Sequence, residues 1–124
     1  MTSLSIGKII RKLLTEDAAI EAAVTKVFPV VTDDARLPYI AYRRAGIDLK
    51  SFKSGNADTV TVEVACFTKD YESGVELAES VRSVLDCKQA EIEGLTMRSC
   101  TLSGGEEAYQ DDAYVQKLVF TIKV

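Results

Sequence analysis

Histidine is absent from the 124 residues of this chain. Its absence removes the commonest general acid or base near neutral pH, the commonest metal ligand, and every Ser-His or Cys-His nucleophile pair. Cysteine is scarce and odd in number. Cys66, Cys87 and Cys100 lie far apart without metal-ligand spacing, and an odd count does not build a disulfide framework. Buried or half-buried thiols in a reducing compartment are expected instead. No apolar run approaches the roughly 20 residues that cross a bilayer as a helix, so no membrane partner is expected. Lys8, Arg11 and Lys12 interrupt the apolar stretch that a secretory signal requires, which points to the cytoplasm where the chain is made. Only carboxylate or lysine chemistry remains for an enzyme. No catalytic residue, cofactor or metal ion is expected.

What is present is ordinary globular composition, with 47% hydrophobic and 27% charged residues, in a length that fits one domain spanning 1–124. The net charge of −4 hides a division. Residues 1–53 carry nine Lys/Arg against six Asp/Glu, or +3; residues 54–124 carry six against thirteen, or −7. Complementary faces on one small domain suit head-to-tail self-association, which closes into a ring when the rotation permits. The plain alternative is that the two sets intermix on the surface.

Element signals follow in order. Ile6, Ile9, Ile10, Leu13 and Leu14 recur at helical spacing, with Lys8, Arg11 and Lys12 opposite and Ser3 or Ser5 available as a cap. A stripe this short packs on a sheet more often than it lies on a membrane. Thr15-Glu16-Asp17 reads as a fresh helix start, and Ile20, Ala23, Val24 and Val27 carry its stripe to Pro29. Thr32 to Ala35 is a polar turn. Pro38 biases Leu37 to extended backbone and is expected at the first residue of a strand, with Ile40 and Tyr42 on one face. Gly46 to Asn56 reads as a long projecting loop. Thr59 to Phe67 alternates, with Val60, Val62, Val64 and Cys66 on one side. Asp70 caps a helix through Leu85 whose stripe is Val75, Ala78, Val81 and Leu85. Leu95 to Leu102 reads as a strand and Ser103 to Asp112 as an acidic, glycine-containing loop. Tyr114 to Val124 closes the chain as a strand with Leu118, Phe120, Ile122 and Val124 inward. The expected fold is α+β, a largely antiparallel sheet of about four or five strands with two or three helices packed against it.

Two charged clusters stand out. Arg43, Arg44, Lys50 and Lys53 concentrate positive charge, with Leu49 and Phe52 among them. Basic residues interleaved with an aromatic can bind nucleic acid, but a sequence pI near 4.9 argues against specific nucleic-acid binding. Apolar anchors in a long loop favour a protein contact; a solvated loop is the alternative. Glu106, Glu107, Asp111 and Asp112 could gather round a calcium ion. The Asp-x-Asp-x-Asp-Gly rhythm of a calcium loop is missing, however, and a solvated hairpin loop is the stronger reading. Ser103-Gly104-Gly105 lacks the spacing of a phosphate cradle and runs into acids that would repel an anion.

Several segments carry a family likeness through their order and spacing. They are Leu13-Leu14-Thr15-Glu16-Asp17-Ala18-Ala19-Ile20, Val27-Phe28-Pro29, Leu37-Pro38-Tyr39-Ile40-Ala41-Tyr42, the strand Thr59 to Phe67, the helix Ala78 to Leu85, and Asp111-Asp112-Ala113-Tyr114 into Val119 to Val124. Together they resemble the tail-completion (tail-terminator, head-tail joining) proteins of long-tailed bacteriophages and prophages. The likeness covers nearly the whole chain and brings no catalytic signature. It implies a structural virion protein and not an enzyme. Such a protein forms a ring, typically of roughly six copies, that caps the tail tube, stops its growth and presents the surface that joins the head. The implied partners are further copies of itself, the tail-tube protein and the head-connector protein; the implied locations are the host cytoplasm during assembly and then the virion tail. The charge division suggests that Arg43, Arg44, Leu49, Lys50, Phe52 and Lys53 of one copy meet Glu106, Glu107, Asp111 and Asp112 of the next. Two other classes compete. A small ferredoxin-like ligand-binding or regulatory module needs an apolar pocket with convergent polar groups, and a carboxylate hydrolase needs two acids with separated pKa values in a cleft. The residues offer no cue for either.

Overall fold

The computed structural model describes residues 2–30, 36–49, 51–52 and 55–124, with backbone only for 51, 52, 55 and 56. Ser3–Ser5 forms a 3-10 turn capped by Thr2, whose hydroxyl accepts from the Leu4 N–H. The expected caps act otherwise: Ser5 makes no side-chain cap bond, and Ser3 is buried and donates to the Asp58 carboxylate at 2.6 Å. Helix α1 (Ile6–Glu16) buries Ile6, Ile9, Ile10 and Leu14 of the expected stripe and leaves Leu13 half-buried at its margin. Asp17, in extended backbone, ends it and caps α2 (Ala18–Ala23) by accepting from the Ile20 N–H at 3.0 Å. This second helix stops at Ala23, short of its expected reach. Val27 lies instead in strand β1 (Val27–Pro29), parallel to β2 (Tyr39–Asp48) and beside Ile40. The β-branched Val24, Thr25 and Val27 favour extended backbone. Thr25 also donates its N–H to the Pro38 carbonyl and its hydroxyl to that of Arg36. The turn expected at Thr32 to Ala35 lies outside the described residues.

β2 starts directly after Pro38 and runs beyond the expected loop start. Gly46, Ile47 and Asp48 still pair with Thr61, Val60 and Thr59, and a bulge between Arg44 and Gly46 absorbs the extra residue. Beyond them β3 (Ser51–Phe52) and β4 (Gly55–Asn56) pair with each other. The described parts of the expected loop at 46–48, 51–52 and 55–56 are therefore strand-paired and lead into β5 (Thr59–Thr68). There Val60, Val62, Val64 and Cys66 are buried, as the alternation requires.

Asp70 caps α3 (Tyr71–Leu85), its carboxylate accepting from the Ser73 N–H at 2.8 Å. The helix buries Gly74, Leu77, Ala78, Val81 and Leu85, so its stripe is rotated toward Leu77 and leaves Val75 half-buried. Gly74 allows a close approach, since a Cβ there would stand 2.9 Å from the Thr68 hydroxyl. A small hairpin of β6 (Ala90–Ile92) and β7 (Leu95–Met97) then turns at Glu93 and Gly94, both at positive φ, and buries Leu95 and Met97.

The strand expected over 95–102 is two strands, because β7 pairs back on β6 while β8 (Ser99–Gln110) pairs with β9 (Ala113–Lys123). The larger correction concerns 103–112. β8 continues to Gln110, and Asp111 and Asp112, at φ 51° and 59°, make the whole turn. That is the double left-handed pattern of a two-residue hairpin. Pairing continues past a bulge between Leu102 and Gly104 because a full ladder satisfies backbone groups that a loop would leave to water.

The main sheet has the order β1-β2-β5-β9-β8, antiparallel except where β1 joins β2, and belongs to the expected α+β class. Ile40, Val62, Phe120 and Ile122 share one core with the apolar sides of α1 and α3. On the opposite face Tyr39 stacks on Phe67, ring centres 4.6 Å apart, and Phe28 meets Tyr39 edge-on. Phe120 is fully buried in the core. Phe120→Ala is expected to lower the free energy of unfolding by about 3–5 kcal/mol in a urea titration. A loss below about 1 kcal/mol would contradict the packing described for this side chain.

Candidate functional site

Arg43 and Arg44 are neighbours on a strand and so leave it on opposite sides. Arg43 faces its register partner Glu63 and donates to the carboxylate at 2.8 Å. The Arg44 guanidinium donates to the Leu4 carbonyl at 2.9 Å, tying the N-terminal turn to the sheet. Both arginines are exposed, so these contacts orient the side chains more than they stabilise the fold. Leu49 is 68% exposed. Lys50, Lys53 and the side chain of Phe52 lie outside the described residues. Arg43 and Arg44 thus stand on the paired strand that precedes the expected loop.

Arg44 also borders a groove of about 440 Å³ that the residue pattern did not announce. Its lining is apolar at Leu4, Val30, Tyr42 and Val62 and cationic at Lys8, Arg43 and Arg44, with no acid among the described lining residues. Leu4 and Val30 are 63% and 64% exposed. Val30 also has φ 59°, a costly conformation for a β-branched residue. It is held there by an N–H bond of 2.7 Å to the Tyr42 carbonyl.

The expected acidic cluster is spread along the β8–β9 hairpin. Glu106 and Glu107 point to opposite sides of β8. Glu106 meets Lys117 Nζ at 3.1 Å; Glu107 accepts from Gln116 Nε2 at 2.9 Å and from the Tyr71 hydroxyl at 2.8 Å. These donors, Gln116 first, hold the Glu107 carboxyl below the ordinary carboxylate range, and the bond to Glu107 raises the Tyr71 hydroxyl above its own. Tyr71 meets Tyr114 edge-on, and Tyr114 contacts Tyr109 with ring centres 4.8 Å apart. Tyr109 is 60% exposed, beside the turn that carries Asp111 and Asp112. Carboxylates diverging from a strand in this way do not converge on one cation. The charge division is partly intermixed, since Arg43 pairs with Glu63 and Lys117 with Glu106.

Burial pushes the thiols of Cys66 and Cys100 up to about 12, too high for a reactive thiolate. Cys87 is exposed, against expectation, because it sits in a left-handed turn just after α3. Among the described residues no helix is long and apolar enough to cross a membrane.

The described residues form a two-layer α+β body with exposed apolar anchors and charges on its strands, and they bring no cluster of metal-ligating side chains together. The family model for tail completion protein gp17 matches residues 8–124, and the chain belongs to that family. As such it is a phage-like structural protein of the virion tail. In fold it is similar to a solved chain described as "Virion of native gene transfer agent (GTA) particle", with a TM-score of 0.82 and 17% identity over 93% of this chain and 90% of that one. No match was found among curated protein sequences.

The clasp of Glu107 with Gln116 and Tyr71 has a defined pH window. A lowered carboxyl pKa contributes stability above the unfolded value, and this is lost as pH falls through the folded one. A raised tyrosine pKa contributes stability below the unfolded value, lost as pH rises through the folded one. The clasp is therefore expected to hold from the ordinary carboxylate range up to the onset of tyrosine ionisation. Carboxyl NMR titration checks its origin: Gln116→Ala and Tyr71→Phe should each raise the Glu107 midpoint, Gln116→Ala by more. Midpoints unchanged in both variants would show that these bonds do not persist in solution.

Proposed function

We propose that the protein acts, as one domain over 1–124, as the subunit of a ring that ends the tail tube and presents the surface that joins the head. The observation that carries this reading is opposite charge at opposite edges of the main sheet in a member of the tail completion family. Arg43 and Arg44 belong to β2, and Leu49, Lys50, Phe52 and Lys53 follow them in sequence; Glu106, Glu107, Asp111 and Asp112 belong to the β8–β9 hairpin. A joint between two different patches is heterologous, so it repeats from copy to copy until the rotation closes, here at roughly six copies. Arg43 and Arg44 are engaged within the chain, yet a guanidinium has five N–H donors and can serve a neighbour as well. The tail-tube and head-connector proteins are the further partners, met after assembly in the host cytoplasm. The role is structural and needs no cofactor.

Charge reversal tests the reading. Lys50→Glu with Lys53→Glu, and separately Arg43→Glu with Arg44→Glu, should suppress the rise of mass with concentration measured by light scattering for the unaltered protein. Ring formation that survives both reversals would sink the basic-to-acidic contact.

A further inference from the structure

Resting on that head-to-tail reading, we propose a particular joint. The groove between the N-terminal turn and the β1–β2 edge holds the β8–β9 hairpin tip of a second copy, with Tyr109 on the apolar lining and Asp111 and Asp112 against the cations. The two surfaces match in chemistry. The described groove lining offers the cations Lys8 and Arg44 and no acid, while Arg43, also at the groove, turns its guanidinium to Glu63 on the other side of the strand. Residues 103–112, at the other edge, contain four acids and no Lys or Arg. They also match in apolar character, with Leu4 and Val30 exposed on one side and Tyr109 on the other. A volume of about 440 Å³ falls in the range of clefts that enclose a drug-sized group, so a tyrosine ring can enter. An aromatic anchor of this kind orders few torsions on binding and is the residue type that most often dominates an interface.

The tip cannot fill the groove of its own chain. Arg44, Val62 and Phe120 lie level across the sheet. From there the tip is displaced by three strand spacings of about 4.8 Å and by about eight residues of about 3.3 Å, roughly 30 Å in all. The complementarity is therefore met only between copies. Both halves also keep backbone conformations that their residues adopt at a cost. Val30 is left-handed at the groove rim, and Asp111 and Asp112 are left-handed where asparagine and glycine are the easier choices. Strain of this kind concentrates at binding surfaces.

Sedimentation of full-length variants tests the joint. Groove variant Lys8→Glu/Val30→Asp and tip variant Tyr109→Ala/Asp112→Lys should each weaken self-association by at least about tenfold, with thermal melts showing that the fold is kept. Mixed in equal amounts, the two should form a dimer and stop, because one intact groove and one intact tip remain. Failure of the mixture to dimerise would overturn the joint. Variants that assemble like the unaltered chain, while the Lys50→Glu/Lys53→Glu reversal dissociates it, would overturn this joint and leave the ring standing. An unaltered chain that stays monomeric at millimolar concentration would overturn the joint and self-association together.

Discussion

Strand β9 is hydrogen-bonded on both sides, to β5 from Tyr114 through Lys123 and to β8 along its whole length, and the other parts of the molecule take their positions from that double ladder. Side chains on a strand alternate, so a slip of one residue would send Phe120 and Ile122 out of the core and bring Thr121 and Lys123 in. The cost of that exchange holds the register. The same register sets Lys117 opposite Glu106 and Gln116 opposite Glu107, well beyond the most buried part of the core. Packing at Phe120 thereby determines where surface carboxylates stand many residues away.

β8 lies at the edge of this sheet, and an open edge is a hazard because its unpaired backbone groups can recruit another chain. The hazard is met differently along its length. Near its start the α3–β6 connection covers it: the Cys100 carbonyl accepts from the Cys87 N–H at 2.7 Å, and the Leu102 N–H donates to the Asp86 carboxylate at 2.9 Å. Beyond the bulge, Glu106 and Glu107 supply charge instead. Asp86 and the bulge together mark where the strand passes from a covered structural edge to an exposed arm.

The strands and helices with clear periodicity were legible because burial selects the same residues that set the period. Val60 to Cys66 and the stripe of α1 are such cases. Segments 46–48 and 103–110 read as loops because glycine and acids obscure the alternation, and their pairing rests on partners that local pattern does not reveal, Thr59 to Thr61 and Ala113 to Val119. The early end of α2 has the same origin, in the carbonyls of Arg36 and Pro38. Among the candidate interface residues, the charges were visible but their partners were not: Arg44 finds a carbonyl 40 positions away and Glu107 a tyrosine 36 away. The groove was not legible in the sequence because Leu4, Val30 and Arg44 come from three separate segments, which no local pattern brings together.

These positions also bear on how strongly such a protein should hold its neighbours. Among the described residues the exposed large apolar groups, Leu4, Val30, Leu49, Tyr71 and Tyr109, are divided between the β1–β2 side and the hairpin side, not gathered in one patch. A single large apolar patch would favour indiscriminate association. Small anchors set among charges favour orientation instead, because like-signed groups repel and only unlike ones dock. A head-to-tail joint of this kind is weak taken singly, yet within a closed ring each copy is held at both ends, and the second contact forms at high effective concentration. In the proposed ring, division of charge between the two sides of one sheet would supply both the direction of assembly and a reason for partial assemblies to come apart before closure.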